Sequence, residues 1–311
     1  MARMFLVDGS NYAFRQQFAL PPRHTAQGFP TRVLYGFTNL LQRMLREWKP
    51  DYVVFSFDHG PSFRNDVYPD YKGHRPEMPE DLRQQWSHLD GLVEAFGCVS
   101  LWRPGFEADD VLGTLARRFA SDEVEVFLVT SDKDFSQLVG DNISVLDESK
   151  GTTLDWAGVI DKIGVPPDRV TDWLGLCGDA SDNIPGVSKV GEKTATKLLQ
   201  EWGTLEGAID AARAGKVKGA VGQRLVEDAD KAHLSKDLAT IRTDVPLDVT
   251  LDDLKPRGLQ VEALRARFDE WEFGAVARKL LPEQAAEGPA LSWRIARGGE
   301  QGAALADVRA G

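Results

Sequence analysis

Nine acidic residues have the type and spacing to do chemistry together: Asp8, Asp58, Glu107, Asp109, Asp110, Asp132, Asp134, Asp179 and Asp182. Asp8, Asp58 and Asp132 each close a short apolar run, and Asp134 follows two residues later. Glu107, Asp109 and Asp110 come just after Gly105, at the head of an amphipathic stretch, while Asp179 and Asp182 lie three apart in a glycine-rich segment. Gathered in one place, so many like charges are costly unless cations compensate them. A donor set made only of oxygen suits hard ions such as Mg²⁺ or Mn²⁺ better than zinc. Two such ions roughly 3.5–4 Å apart can flank a phosphodiester, one readying water and the other the leaving oxygen. Each acid also has a plainer reading. Acids in a first helical turn favour the helix dipole, and Asp before Gly is ordinary turn chemistry. Only convergence makes them a site.

Convergence depends on the elements that carry them. Arg3–Gly9 reads as a buried strand that ends in an acid and then a turn glycine, and Tyr52–Asp58 and Val124–Asp132 read as strands that each end in an acid. Thr31–Trp48 carries apolar residues at helical spacing and stops before Pro50, and Ala108–Phe119 reads as a second amphipathic helix. Apolar strands alternating with helices imply an α/β fold with a mostly parallel sheet covered on both faces. In such a sheet the strand C-termini share one edge, where ligands bind, so Asp8, Asp58 and Asp132 should meet there.

Between Asp58 and His88 the pattern breaks: Pro61, Pro69, Pro76 and Pro79 punctuate a stretch holding Arg64, Lys72, Arg75, Arg83, Tyr68 and Tyr71. It has no clean core-facing stripe and predicts a long, mobile, basic insertion. Its bland role is a solvated loop. Its functional role places Arg64, Lys72 and Arg75 on phosphates and stacks the tyrosines on an unpaired base. After Gly151 the chain turns helical, and Gly178–Ala195 joins helices at about 168–177 and 192–202. Gly186 and Gly191 would let backbone approach a phosphate, with Lys189 and Lys193 adding charge that reads no sequence. A plain helix-turn-helix packing motif is the alternative. Past Pro282 the chain is Ala/Gly-rich and aperiodic and is expected to be poorly ordered.

The net charge of −11 argues at first against nucleic acid, but the nine candidate acids account for all but two of that surplus. Two distant cysteines, Cys98 and Cys177, exclude a disulfide framework or a zinc site. The early apolar run is too short for a signal peptide, and no stretch reaches a membrane span. A reducing, cytoplasmic home and no membrane partner follow as expectations.

At this point longer motifs become recognisable: Leu6–Ser10, Ser62–Arg64 through Tyr71–Pro76, Gly105–Val111, Thr130–Asp134, the Gly178–Ala195 loop and Leu238–Leu247. They resemble the 5′→3′ exonuclease domain of bacterial DNA polymerase I, within the flap endonuclease superfamily, over about residues 3–281. The resemblance implies a PIN-like, Rossmann-like core over residues 1–165, with a helical arch at about 60–95. A helix-3-turn-helix DNA-binding region at 166–281 and a tail at 282–311 complete the expected organisation. It also implies that all nine acids belong to a metal site and that Lys72 and Arg75 are basic catalytic residues of the arch. Arg64 would sit at the arch base, Arg15 in a basic position after the first strand, and K⁺ among the loop carbonyls. Phe14 stands where Tyr is frequent and Ser131 where Gly is frequent; neither removes a ligand. The unmatched tail, with no polymerase following, favours a free-standing nuclease over a truncated one.

The function expected is hydrolysis of DNA at 5′ flaps, nicks and 5′ ends by an active, monomeric enzyme with two Mg²⁺ or Mn²⁺ ions, in replication or repair. Three rivals remain: a non-catalytic DNA-structure-binding protein, a PIN-type ribonuclease, and aspartate-based phosphatase chemistry, which explains only Asp132 and Asp134.

Overall fold

The computed structural model describes residues 1–282; the expectation for the tail falls outside the described residues. The chain opens with β1 (Ala2–Asp8), α1 (Gly9–Ala19) and α2 (Arg32–Arg43), then β2 (Tyr52–Ser56), α3 (Phe63–Val67), α4 (Glu80–Trp86), α5 (Leu89–Ala95) and β3 (Val99–Ser100). It continues through α6 (Ala108–Phe119), β4 (Val124–Val129), a 3₁₀ turn at Lys133–Leu138, β5 (Ile143–Asp147) and β6 (Thr152–Leu154). Helices follow: α7 (Trp156–Ile163), α8 (Val170–Cys177), α9 (Glu192–Trp202), α10 (Leu205–Arg213), α11 (Gly219–Glu227), α12 (Ala229–Ala239), α13 (Val261–Glu270) and α14 (Gly274–Leu280). Among them no helix is long and apolar enough to cross a membrane.

The strands form one sheet in the order β3-β2-β1-β4-β5-β6, parallel except for the last pair. The mostly parallel α/β core expected from the alternation of elements is therefore present. Its strands are apolar on both sides because both sides are covered. On β1, Met4 and Leu6 join Val111, Leu112 and Leu115 of α6, whereas Phe5 and Val7 join Val33, Leu34 and Phe37 of α2. The α6 side runs on without a break into Trp173, Leu174, Leu198 and Leu205 of the helical region. The α2 side is closed by α13 and its neighbours, where Phe268, Trp271 and Phe273 are buried. The last two helices thus cover the α2 face of the sheet rather than joining the α8–α12 layer.

β1 pairs with β2 on one side and β4 on the other, in register from Asp8↔Ser56 and Val7↔Val129. The chain reverses its direction of winding between β1 and β4, which opens a crevice at the carboxyl ends of those strands.

Two expectations need correction. The single helix predicted over Thr31–Trp48 ends at Arg43 and widens into a π turn at Met44–Trp48. That wider turn lays Trp48 on Phe5, with ring centroids 5.1 Å apart, and Lys49 in the left-handed region then stops the helix. The insertion is also not wholly loose. Leu82 and Gln85 are buried, and the Gln85 side-chain carbonyl accepts the Val33 and Leu34 amides at the head of α2. A polar side chain that caps another helix leaves no apolar stripe to read. Only the stretch between Tyr68 and Pro79 spans the crevice.

Candidate active site

The crevice is a cavity of about 640 Å³ lined by Asp8, Asp58, Glu107, Asp109, Asp132, Asp134 and Asp182, with Lys72 and Arg75 at its rim. Seven of the nine predicted acids therefore converge, as do Lys72 and Arg75, the two basic residues expected to act in catalysis.

Each carboxylate is placed by local backbone. Asp8 ends β1 and caps α1: one oxygen accepts the Asn11 amide at 2.9 Å and the other the Thr130 hydroxyl at 3.0 Å. Asp58 lies two residues beyond β2 and accepts the Ala108 amide at 2.8 Å, joining its loop to the head of α6. Glu107 is the N-cap of α6 and takes hydrogen bonds from Ser62, Tyr71 and Lys72. Asp132 caps the 3₁₀ turn by accepting the Asp134 amide. Asp182 arrives from the loop after α8 and meets Tyr71, Lys72 and Arg75.

Burial and repulsion raise most of these groups. Burial pushes the Asp8 carboxyl up to about 7, and Asp58 and Asp132 add to the rise. Asp109 and Asp134 stand well above the ordinary carboxylate range, chiefly through burial, with Asp110 and Asp132 respectively adding repulsion. Burial raises Asp132 as well. Glu107 goes the other way: burial alone would raise it, but Lys72 and Arg64 outweigh that and hold it low. A buried oxygen of Asp134, Oδ1, has no hydrogen-bond partner. Among the described residues no three acids close into a finished ion cage. An all-oxygen donor set, several of its members destabilised as anions and one with an unsatisfied oxygen, fits hard divalent cations.

Other predicted residues lie elsewhere. Asp110 is fully buried behind the cavity, both oxygens bonded to Arg64. Asp179, also off the cavity wall, is held by Ser181 and by Lys133 at 3.1 Å. Arg64, expected to face phosphates, is 1% exposed and turned inward. A guanidinium so enclosed cannot touch a phosphate. Arg15 is engaged by Glu148, beside Arg43, and lines no part of the cavity. Tyr71 is no stacking surface either: its hydroxyl lies 3.1 Å from both Glu107 and Asp182 and can donate to one at a time. Phe18, which the sequence reading passed over, is 74% exposed on the cavity wall beside Phe14. The signal was its place one helical turn after Phe14, on the strand-to-helix element carrying Asp8.

The glycine-rich loop divides into two parts. Gly178 and Gly186 both have positive φ and pack backbone to backbone, so a side chain at Gly186 would run into Gly178. The Gly186 amide donates to Ser235, and Ser188 donates to Asp228. Gly186 therefore closes the loop instead of admitting a phosphate. Gly191 differs: it is exposed, caps the 11-residue α9 without a side-chain bond, and has open space around it. Lys189 and Lys193 are exposed on either side of it.

Residues 3–164 match the family model for the 5'-3' exonuclease N-terminal resolvase-like domain. The chain belongs to the 5'-3' exonuclease family. Residues 165–262 match the C-terminal SAM fold of 5'-3' exonucleases. The thermostable DNA polymerase I of Thermus filiformis is 43% identical over 275 residues, which cover 88% of this chain and 32% of that protein. DNA polymerase I of Pseudomonas aeruginosa is 43% identical over 279 residues, 88% of this chain and 31% of its own. The family member described here thus spans about a third of the length of these curated relatives. Among solved structures, the T5 D15 protein co-crystallized with metal ions has a TM-score of 0.65 at 20% identity, covering 88% of this chain and 99% of that one. The catalytic core of Rad2 in complex with DNA substrate has a TM-score of 0.58 at 16% identity, covering 87% of each chain. These likenesses establish the shared fold.

Proposed function

We propose that this 5'-3' exonuclease family member is a structure-specific 5′ nuclease that hydrolyses phosphodiester bonds at DNA flaps, nicks and 5′ ends. The observation that carries the proposal is the meeting of seven carboxylates, from separate segments, in one cavity beneath Lys72 and Arg75. Asp8, Asp58, Glu107, Asp109, Asp132, Asp134 and Asp182 are the residues that would hold divalent cations, Mg²⁺ or Mn²⁺. Two such ions bound there would supply an activated water and stabilise the departing oxygen. Asp110 supports this set from behind by accepting the Glu107 amide.

The chain's own residues do the rest. Lys72 and Arg75 neutralise charge on the scissile phosphate, exchanging their present carboxylate partners for phosphate oxygens. Phe14 and Phe18 offer an apolar wall against which an unpaired base can rest. Gly191, the head of α9, Lys189 and Lys193 grip duplex backbone without reading bases. A K⁺ ion among the loop carbonyls would strengthen that grip. Tyr71 and the backbone of Lys72 fasten the crossing segment to Asp182, with the Lys72 amide donating to the Asp182 carbonyl at 2.9 Å.

The test is cleavage of a labelled 5′ flap with Mg²⁺ and with EDTA, followed by mapping of product ends. Expected are a 5′-phosphate and a 3′-hydroxyl with Mg²⁺ and no cleavage with EDTA. Binding without cleavage in Mg²⁺ or Mn²⁺ would reduce the protein to a DNA-structure-binding module. Preference for the RNA version of the same flap would favour a ribonuclease.

A further inference from the structure

The enclosed arginine behind the cavity has a geometry that a phosphate contact does not explain. Arg64 is 1% exposed, and its guanidinium is bonded on three sides. Nη1 and Nη2 donate to the two oxygens of Asp110 at 2.8 and 2.9 Å. Nε donates to the Leu238 carbonyl at 2.8 Å, and Nη2 to that of Thr240 at 3.1 Å. Nη1 also lies 3.5 Å from Glu107 and 3.9 Å from Asp109, both on the cavity wall. Asp110 in turn accepts the Glu107 amide at 3.1 Å and the Arg242 amide at 2.8 Å.

Leu238 and Thr240 mark the end of α12, the helix that also holds the glycine-rich loop. Ser235 accepts the Gly186 amide, and Asp228, just before the helix, accepts that of Ser188. A continuous path of hydrogen bonds therefore runs from the loop through α12 and Arg64 to Asp110 and the first turn of α6. Burial alone would lower the guanidinium's pKa, but Asp109, Asp110 and Glu107 more than reverse that and keep it charged.

We propose that Arg64 is a positioning residue: a permanent internal cation that fixes Asp110, sets the first turn of α6 with Glu107 and Asp109, and bolts that turn to the DNA-gripping helices. The inference rests on the reading that Glu107 and Asp109 hold cations. A lysine cannot replace it, because one ammonium cannot span a carboxylate edge and two carbonyls as the planar fork does.

The experiment compares wild type, Arg64→Lys, Arg64→Gln, Asp110→Asn and the Arg64→Lys/Asp110→Asn double variant. Three quantities are read: Mg²⁺ binding by calorimetry, flap affinity in EDTA, and kcat at saturating flap. Thermal melts report folding. For Arg64→Lys we expect Mg²⁺ affinity and kcat each to fall about 10–100-fold, the range for residues that orient metal ligands from behind. Flap affinity in EDTA should stay within about threefold, because no phosphate contact is lost. The double variant should lose much less than the product of the single losses, as residues acting through one another do. Wild-type Mg²⁺ binding and kcat in a folded Arg64→Lys protein would overturn the proposal. A loss of flap affinity matching the loss of rate would overturn it in favour of a phosphate contact, and multiplicative losses would remove the route through Asp110. If neither Arg64 variant folded, the side chain would be a structural bolt only, and the proposal would fall. Failure of wild type to bind Mg²⁺ or cut the flap would instead count against the reading of the cavity.

Discussion

Replacing Asp8 by Asn should make the metal-free protein more stable while destroying its activity. Asp8 is 6% exposed, and its carboxyl is raised from the ordinary 3.8 to about 7 by burial, with Asp58 and Asp132 contributing. The sign follows from proton linkage. A carboxyl raised in the folded state keeps its proton while the unfolded chain loses it, so stability falls as pH climbs from 3.8 to about 7. The loss accumulates at about 1.4 kcal/mol per pH unit, reaching about 4 kcal/mol at pH 8. Asparagine escapes this cost, and its carbonyl still accepts the Asn11 amide, but the Thr130 hydroxyl must reorient, which costs about 1 kcal/mol. The net gain is about 2–3 kcal/mol at pH 8 and near zero at pH 4. For a chain of this size that corresponds to about 3–5 °C in Tm. Melts of both proteins in EDTA at pH 4 and pH 8 supply the measurement, and Mg²⁺ at pH 8 should raise wild type far more than Asp8→Asn. Equal Tm values at pH 8 would refute the claim that this site stores electrostatic strain for cations to relieve.

Three shorter predictions follow from the same geometry. Gly186→Ala should cost about 1–3 kcal/mol, because it adds a side chain at positive φ against Gly178; thermal melts check this, and flap affinity should fall with it. Lys189→Ala combined with Lys193→Ala should weaken flap binding and flatten the plot of log affinity against log salt by about two. The double variant should leave kcat at saturating DNA intact, and a lowered kcat would move these lysines into the chemistry. Lys72→Ala should fold normally yet cleave about 100-fold more slowly, as loss of one preorganised charge contact does; an unchanged rate on a 5′ flap would remove Lys72 from the reaction.

Legibility differed with the range of the interaction. The strands were plain because β1, β2 and β4 are largely buried on both faces and are therefore nearly continuous apolar runs. Parallel pairing then forces their acid-bearing ends to one edge, so the meeting of Asp8, Asp58 and Asp132 is already implied by the strand pattern. Glu107 and Asp109 stood at the head of an amphipathic helix, where acids alone are as readily caps, and only their company with the other acids and the family motifs marked them. The insertion was harder, because Gln85 docks through its amide on the head of α2 and shows no apolar period.

The sequence by itself determined the class of fold and offered an oxygen-only set of candidate acids, both from residue types and spacing within a segment, while its longer motifs carried the resemblance to the family. Tertiary structure alone decided which charges look outward. Arg64 and Lys72 belong to one basic stretch, yet Arg64 is locked to Asp110 while Lys72 reaches into the cavity. Gly186 and Gly191 share one loop, yet the first closes it against Gly178 and the second stands open at the head of α9. A side chain's partner comes from segments as distant as Leu238 from Arg64, and such packing leaves no trace in local spacing.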